Sequence, residues 1–530
     1  MSTSTKKMER RAFIRGVGAT AAGLAVAGLS ADHALAAAPE SRAALTRTNG
    51  PDAVVLWAPG SPSTVKNWSA DPILQAVEKA TNTQITIVQY SFDHYTDHVN
   101  TAIASGKVPD IIAGIFPGND ALIARMARDH IIAPFEGQVA AAAPFLVKEY
   151  QSSSIYDELK VGGKIYGWPV GWNQGTGPDS TLHIRKDLLD KFGMALPATF
   201  DQYFAFLRTA RRHGSTGVIF SAGAAGGLGH VLSPFAGAYG LPWEGWVKSG
   251  GGYAYAQIQP GMKQALLLFR KMVAGGLVDQ VSWSDVNTAR DKYVAGEGAA
   301  LFFNGGGHVG RIQNDMTLNG KGYKDYMLPA LSNGTGHRGY TSIPNFFGET
   351  FIGGLSGNNP VAAARVLNYL ASDAGTKLTA LGIPGRDYKV VDGQVKLLPQ
   401  RTKDGFAAQS GDTGAHPLAT PIVSWVPQSL QDFALLYGHG ADFKRFYDQA
   451  WANQRRYQIP TYGTLVASPL WTKFEATSND LTARTFLQIV RSGSEKQASA
   501  LFDQFVQQWK SQGGDAAQTE MSALLKGLYH

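Results

Sequence analysis

The chain has 530 residues, a formal net charge of +7 at pH 7, 11 Trp, 20 Tyr, 25 Phe and no cysteine. This length exceeds one ordinary core and predicts two lobes. The lack of cysteine excludes disulfides, thiolate metal sites, iron–sulfur clusters and c-type haem, and we expect no lipid anchor on an N-terminal cysteine. Without its first 36 residues the chain carries a charge of +4, too small to indicate a nucleic-acid partner.

The N-terminal segment has the pattern of a twin-arginine export leader. Arg10 and Arg11 precede an apolar run over residues 16–29, and small residues suitable for cleavage follow at 34–36. The apolar run is shorter than the roughly 20 residues that a membrane span needs, which favours a leader over an anchor. We therefore expect a leader over 1–36, a flexible lead-in over 37–50 and an extracellular or cell-envelope location.

Strands and helices alternate after residue 50. The pattern predicts strands over 53–57, 84–90 and 110–116 and helices over 71–80, 95–104 and 121–129, with Asp71 as an N-cap before Pro72. This alternation predicts a parallel sheet whose carboxyl edge carries the ligand-binding loops.

The segment 182–207 predicts a strand, a short helix and a second, capped helix. Gly193 suits the left-handed end of the first helix, and Pro197 blocks its continuation. Thr199 stands three residues before Gln202, which is the spacing of a capping box.

Further elements follow in the second half of the chain. Helices are predicted over 263–273 and 360–370, a strand over 299–303, and a mostly helical tail over about 420–530, with Asn479 or Thr482 as a cap.

Five segments in order resemble the extracellular solute-binding proteins of carbohydrate ABC importers, family 1, in the oligosaccharide-binding subgroup: 95–110, 182–207, 293–304, 360–382 and 381–388. The resemblance implies an α/β, two-lobe periplasmic-binding-protein type II fold with hinge-linked lobes and a helical C-terminal region. Residues 51–172 with 328–382 would form lobe 1, and 178–325 with 385–530 lobe 2. It also implies a monomer that binds an oligosaccharide, docks on ABC permease subunits and performs no catalysis.

Tryptophan residues are the first candidates for ligand binding, because an aromatic plane covers the C–H face of a pyranose while polar groups bind its hydroxyls. For any single Trp, a place in the core is the alternative. The glycine-rich context of residues 168–174 favours a loop at the cleft there. The aromatic and adjoining amide candidates are Trp57, Trp168, Trp172, Asn173, Gln174, Trp243 and Trp246.

Polar residues after predicted strands form a second group. Asp120 and Asn304 could bind hydroxyls or simply cap helices. Phe346 and Phe347 lie in a segment bounded by Pro and Gly. Arg386, like Arg185, could hold a uronate carboxylate, with a surface salt bridge as the alternative.

Other chemistries find weaker support. Gly305–Gly310 matches the dinucleotide pattern G-x-G-x-x-G, with Asp325 farther on, but it is a lone match in mid-chain. His94 and His98 have zinc spacing without an evident third ligand, and 211–217 lacks the carboxylates of a calcium loop. We expect no metal, cofactor or catalytic residue. A secreted glycoside hydrolase or lyase is the main alternative, and a cofactor-bearing oxidoreductase the third.

Overall fold

The computed structural model describes residues 50–59, 65, 67–90, 95–115, 120–151, 160–170, 180–220, 228–279, 286–304, 312, 316, 320–342, 348–392, 394–398, 416–418, 448–449, 452–453, 456–463, 466 and 468–529. The predicted leader and most of the lead-in lie outside this set.

The described strands are β1 (Asp52–Pro59), β2 (Thr83–Tyr90), β3 (Ile111–Ile115), β4 (Lys160–Val161), β5 (Lys164–Ile165), β6 (Gly167–Val170), β7 (Ser180–Arg185), β8 (Val218–Ile219), β9 (Trp246–Ser249), β10 (Gly252–Tyr255), β11 (Ala300–Asn304), β12 (Asp325–Met327), β13 (Tyr340–Ser342), β14 (Gly348–Ile352), β15 (Tyr388–Val391), β16 (Gln394–Leu397) and β17 (Gln458–Pro460). The longer helices are α1 (Pro72–Thr81), α2 (Tyr95–Ser105), α3 (Asp120–Arg128), α4 (Gly137–Ala142), α5 (Pro144–Gln151), α6 (Lys186–Lys191), α7 (Phe200–Arg212), α8 (Ser233–Gly237), α9 (Pro260–Ala274), α10 (Val286–Ala295), α11 (Pro360–Ala371), α12 (Asp373–Leu381), α13 (Pro469–Arg491), α14 (Glu495–Trp509) and α15 (Asp515–Leu528).

The first sheet has the strand order β2-β1-β3-β14-β6. β1 pairs in parallel with β2 and β3, as the sequence predicted, whereas β14 runs antiparallel to both β3 and β6. The expectation of a wholly parallel sheet is therefore wrong. β14 enters the sheet at the edge where β3 ends, so it runs in the opposite direction.

Both faces of the first sheet are covered. Residues of one strand point alternately to either side, so neighbouring residues pack in different cores. Ile111 packs into a core that includes α1 and α11, while its neighbour Ile112 packs with Tyr95 and Met126 of α2 and α3. This two-sided burial explains why β3 reads as a continuous apolar run rather than as an alternating one.

The second sheet has the order β12-β7-β11-β8. β7 is antiparallel to β11 and β12, and β11 is parallel to β8. Leu182 and Phe302 face the largest core, which also includes α7 and α9, and Leu301 faces a smaller core that contains Tyr293. Parallel and antiparallel pairs are therefore mixed in this sheet as well.

The segment 182–207 folds as its sequence predicts. β7 leads into α6, and Gly193 has φ +63°, in the left-handed region. The Gln202 N–H donates to Thr199 Oγ1 (3.3 Å), and the Thr199 N–H donates to Gln202 Oε1 (3.2 Å). The predicted capping box of α7 is therefore confirmed.

Two of the C-terminal helices, α13 and α14, begin at serines rather than at the predicted caps. Ser468 accepts a hydrogen bond from the Trp471 N–H (3.1 Å) and Ser494 accepts one from the Gln497 N–H (3.2 Å). Asn479 and Thr482 lie inside α13, so the prediction that either is a cap is wrong. The helix starts at Pro469 and continues through both residues to Arg491.

Two predicted lobe limits also need correction. Leu328 and Leu331 belong to the core of the second sheet, and Tyr340 Oη donates to the Leu328 carbonyl (2.7 Å). Leu418 instead packs in the core of the first sheet, where His416 Nε2 lies 3.1 Å from Asp71 Oδ2. Residues 328–342 therefore pack with the second sheet and 416–418 with the first, so the predicted limits near 328 and 385 are wrong there.

Candidate functional site

Several strand ends meet at one edge of the first sheet, which we call the carboxyl edge. β1, β2 and β3 end there at Pro59, Tyr90 and Ile115, and β6 ends at Val170 opposite Gly348. Ligands of α/β proteins bind at such edges. The segments that continue from this edge contain the predicted residues Trp172, Asn173, Gln174, Phe346 and Phe347, all of which lie outside the described residues.

Three side chains form an aromatic group at this edge, the edge aromatic patch: Trp57, Tyr90 and His98. The Trp57 and Tyr90 ring centroids lie 5.1 Å apart at an interplanar angle of 68°. His98 stacks on Tyr90 at 4.1 Å and 28°. Trp57 and Tyr90 are half-buried and His98 is exposed, so the patch is supported by the core on one side and reaches solvent on the other.

Tyr95 supports the edge aromatic patch from the core side. It is 1% exposed, and its hydroxyl donates to the Trp57 carbonyl (3.1 Å). Burial raises the pKa of Tyr95 and also that of Tyr90. The Tyr95 hydroxyl thus holds the backbone of Trp57 in place, and the Tyr90 ring remains an uncharged surface.

Tyr90 did not figure among the residues predicted from the sequence, and His98 was considered only for zinc. The signal was present, because Tyr90 closes a strand that pairs in parallel with the strand of Trp57. The helical spacing of His98 within α2 then brings its ring over Tyr90. Within the described residues, no group of three or more His, Asp or Glu could hold a metal ion.

Two predicted ligand residues lie in cores. Trp168 is in β6, is 0% exposed and packs edge-on against Tyr150 at 5.3 Å. Trp246 is in β9, is 1% exposed and packs against Trp471 at 5.1 Å. The expectation that these rings face a cleft is corrected, because each is covered by helices that local sequence does not reveal.

Three other predicted residues keep open roles. Trp243 is half-buried against the larger core of the second sheet, and its N–H donates to Thr341 Oγ1 (2.8 Å). Asn304 is the last residue of β11, opposite Ser180, and Asp120 is the first residue of α3. The side chains of Asn304 and Asp120 lie outside the described set.

The two arginines considered for a uronate both pair with neighbouring carboxylates. Arg386 Nη1 lies 3.2 Å from Asp387 Oδ1, with 31% of the Arg386 side chain exposed. Arg185 is 3% exposed and makes two hydrogen bonds to Asp187, of 2.8 and 2.6 Å. The ion pair is thus the observed role of Arg185, and it lies inside the protein rather than on the surface.

The geometry of Asp325 counts against the dinucleotide alternative. This residue is 2% exposed; its Oδ1 accepts a hydrogen bond from Tyr293 Oη (2.8 Å), and its Oδ2 lies 2.9 Å from His183 Nδ1. An acidic group that binds a ribose must reach the ligand. The carboxylate of Asp325 is committed to two buried partners instead.

Comparison with known proteins agrees with this architecture. A curated relative, the "Lipoprotein LipO" of Bacillus subtilis (strain 168), is 25% identical over 371 residues, which cover 66% of this chain and 69% of the relative. The S. pneumoniae ABC-transporter substrate binding protein FusA, in complex with kestose, superposes with a TM-score of 0.69 at 18% identity, over 90% of this chain and 100% of that one. An HMO binding, ABC-transporter associated solute binding protein from Bifidobacterium longum infantis gives a TM-score of 0.67 at 15% identity, over 90% and 98% of the two chains.

These similarities confirm the predicted α/β fold with two hinge-linked lobes, and the described residues add the helical C-terminal region, α13–α15. No helix among the described residues is both long and apolar enough to cross a bilayer. The family model for the bacterial extracellular solute-binding proteins matches residues 62–377, more than half of the sequence. The chain therefore belongs to the bacterial extracellular solute-binding proteins.

Proposed function

We propose that this protein captures an oligosaccharide between its two lobes and delivers it, chemically unchanged, to the permease subunits of an ABC importer. The edge aromatic patch carries the proposal, because it places half-exposed rings at the carboxyl edge of the first sheet. A pyranose presents an apolar C–H face to such rings and a rim of hydroxyls to polar groups around them.

The related proteins support a carbohydrate ligand. FusA is described in complex with kestose, and the Bifidobacterium protein as HMO binding. Export by the twin-arginine route, which the N-terminal pattern predicts, and a monomeric state, which the family resemblance implies, complete the proposal.

Lobe closure would make binding selective. The chain passes from the first sheet to the second between Val170 and Ser180, returns between Ser342 and Gly348, and passes to the second again between Leu418 and Gln449. Two of these crossings leave or enter the first sheet at its carboxyl edge, at Val170 and Gly348, so we expect rotation of one lobe against the other to open and close the space at that edge. A sugar that contacts both lobes only in the closed form shifts the population to that form.

Calorimetry with a panel of neutral and acidic oligosaccharides tests the proposal. We expect at least one glycan to bind and to be recovered intact. Replacing Tyr90 by Ala should weaken its binding about tenfold, the effect of losing some 1.4 kcal/mol of stacking. Phe192→Ala is the matched control, because Phe192 also packs against a histidine, His213, at 4.7 Å, but in the turn after α6.

Failure of every glycan to bind the folded protein would contradict the proposal. Release of shortened or unsaturated sugars would instead favour the hydrolase or lyase alternative. Equal losses of affinity in Tyr90→Ala and Phe192→Ala would show that the patch has no special role.

A further inference from the structure

A second concave surface lies outside both large sheets, at the hairpin formed by β9 and β10. It is a cavity of about 560 Å³, the hairpin pocket, lined by Lys248, Ser249, Gly250, Gly251, Gly252, Tyr253, Lys526 and Tyr529. The residues come from the hairpin and from the C-terminal helix α15 with its following residue. The volume is within the range of small-molecule sites.

The backbone of the hairpin shapes this pocket. Gly250 and Gly251 have φ values of +55° and +76° and form a two-residue turn between Ser249 and Gly252. A Cβ on Gly252 would lie 2.8 Å from Ser522 Oγ and 3.1 Å from Lys526 Cε. Glycine at this position therefore allows α15 to approach the hairpin, and the Tyr253 N–H donates to Ser522 Oγ (2.9 Å) across the junction.

Two cations line the pocket without an ion pair to any described residue. Lys248 and Lys526 are both exposed, and within the part of the chain that the structure describes no carboxylate lies within 4 Å of either ammonium group. Lys248 Nζ lies 5.6 Å from the centroid of the Tyr462 ring. A cation–π contact of this kind leaves the positive charge available to an anion.

Aromatic rings form the wall beside these charges. Tyr462 lies 5.2 Å from Tyr253 and 5.1 Å from Tyr529, both edge-to-face. Tyr529 is half-buried, so part of its ring faces the pocket. Rings packed next to two lysine ammonium groups suit a ligand that is ring-shaped on one side and anionic on the other.

We propose that the hairpin pocket binds a sugar that carries an anionic group, a carboxylate or a phosphate, at a site separate from the cleft between the lobes. The ammonium groups of Lys248 and Lys526 bind the anionic group, and the ring of Tyr529 covers the sugar. The site does not depend on the function proposed for the carboxyl edge.

Ligand-observed NMR titration of the full chain tests the site with four probes: glucuronate, glucose 6-phosphate, glucose and inorganic phosphate. We expect glucuronate, glucose 6-phosphate or both to bind more tightly than glucose or inorganic phosphate. The double variant Lys248→Gln/Lys526→Gln should weaken that binding about tenfold, because two charge-assisted contacts are lost. Tyr529→Ala should weaken the sugar anions more than inorganic phosphate.

Two variants serve as controls. Lys271→Gln removes an exposed lysine that pairs with Asp201, and it should leave the titration unchanged. Phe192→Ala should also leave it unchanged, because that ring packs against His213 and does not line the hairpin pocket. Loss of binding in Tyr90→Ala would place the anion in the cleft and overturn the proposal. Equal binding of glucose, equal binding of inorganic phosphate, or an unaffected double lysine variant would overturn it as well.

Discussion

Two groups of aromatic residues in this protein both combine Trp with Tyr but lie in opposite surroundings. In the edge aromatic patch, Trp57 and Tyr90 are half-buried and end at solvent. In the group beside the C-terminal helices, Trp246, Tyr255, Trp471 and Trp509 are each no more than 6% exposed. In the first group part of the ring surface stays exposed and can contact a ligand, whereas in the second group the ring surface is buried in the core.

The difference comes from the elements that cover each group. Trp509 stacks on Tyr255 at 5.3 Å and 11°, and its Nε1–H donates to Ser478 Oγ (2.9 Å). Helices α13 and α14 supply these contacts from residues more than 200 positions beyond β9. An aromatic residue thus marks a binding site only where no distant segment covers it, and local sequence does not reveal that cover.

The largest expected effect is on the covered group. Trp509→Ala should lower the free energy of unfolding by about 3–5 kcal/mol, the usual loss for a large aromatic ring removed from a core. Urea unfolding followed by circular dichroism measures it. Ligand affinity of the variant that remains folded should not change.

Trp509→Phe is the matched control, because it keeps a ring against Tyr255 but removes the N–H that binds Ser478. It should lose clearly less stability than the alanine variant. If Trp509→Ala lost less than about 0.5 kcal/mol, the usual range for surface sites, the contrast between the two aromatic groups would break down.

The next effect concerns the buried ion pair at the end of β7, where interior contacts again serve the fold. Burial of Asp187 opposes its ionisation, but the hydrogen bonds and charge of Arg185, with a hydrogen bond from the Lys324 N–H, outweigh burial and lower the pKa of Asp187 below its ordinary value of 3.8. A lowered folded-state pKa adds stability above pH 3.8 that is lost as the pH falls through the folded pKa.

Asp187→Asn should therefore reduce the free energy of unfolding by about 2 kcal/mol at pH 7, as expected for a charge-assisted hydrogen bond. The difference from the wild type should shrink as the pH falls below 4. Asp201→Asn is the control, because its pair with Lys271 has side chains that are 77% and 61% exposed. A difference that grows towards acid pH would contradict the role of Asp187.

The smallest effect on stability is expected at the edge aromatic patch. Trp57→Phe should change the free energy of unfolding by less than about 1 kcal/mol, because the ring is only half-buried and its replacement keeps the aromatic contact with Tyr90. The change of tryptophan emission on ligand addition should nevertheless decrease. Trp471→Phe, in the covered group, should retain that change; the reverse result would exchange the roles of the two groups.

Local signals predicted much of the fold. The Asp71 cap, the capping box of Thr199 and Gln202, and the left-handed Gly193 all form as their neighbours dictate. Such features depend on residues within one turn, so a short window contains the information they need. The caps predicted at Asn479 and Thr482 failed because the same residue types also occur inside long helices.

The candidate site was less accessible to this reasoning. The sequence predicted Trp57, at a strand end, but not Tyr90 or His98. The contacts of these two residues in the patch depend on the parallel pairing of β1 and β2. It also favoured a cleft position for Trp168, from its glycine-rich context, and named Trp246 with a core position as the alternative; both rings are buried.

The sequence by itself determined the absence of cysteine chemistry, the positions of most described helices and strands, and the resemblance to a family of binding proteins; the export leader stays a prediction. Tertiary structure alone decided the mixture of parallel and antiparallel strands, the packing of 328–342 with the second sheet, and which rings remain open to a ligand. The reason is physical: propensities and caps act over a few residues, whereas burial of an aromatic ring is set by whichever distant segment gains most from covering it.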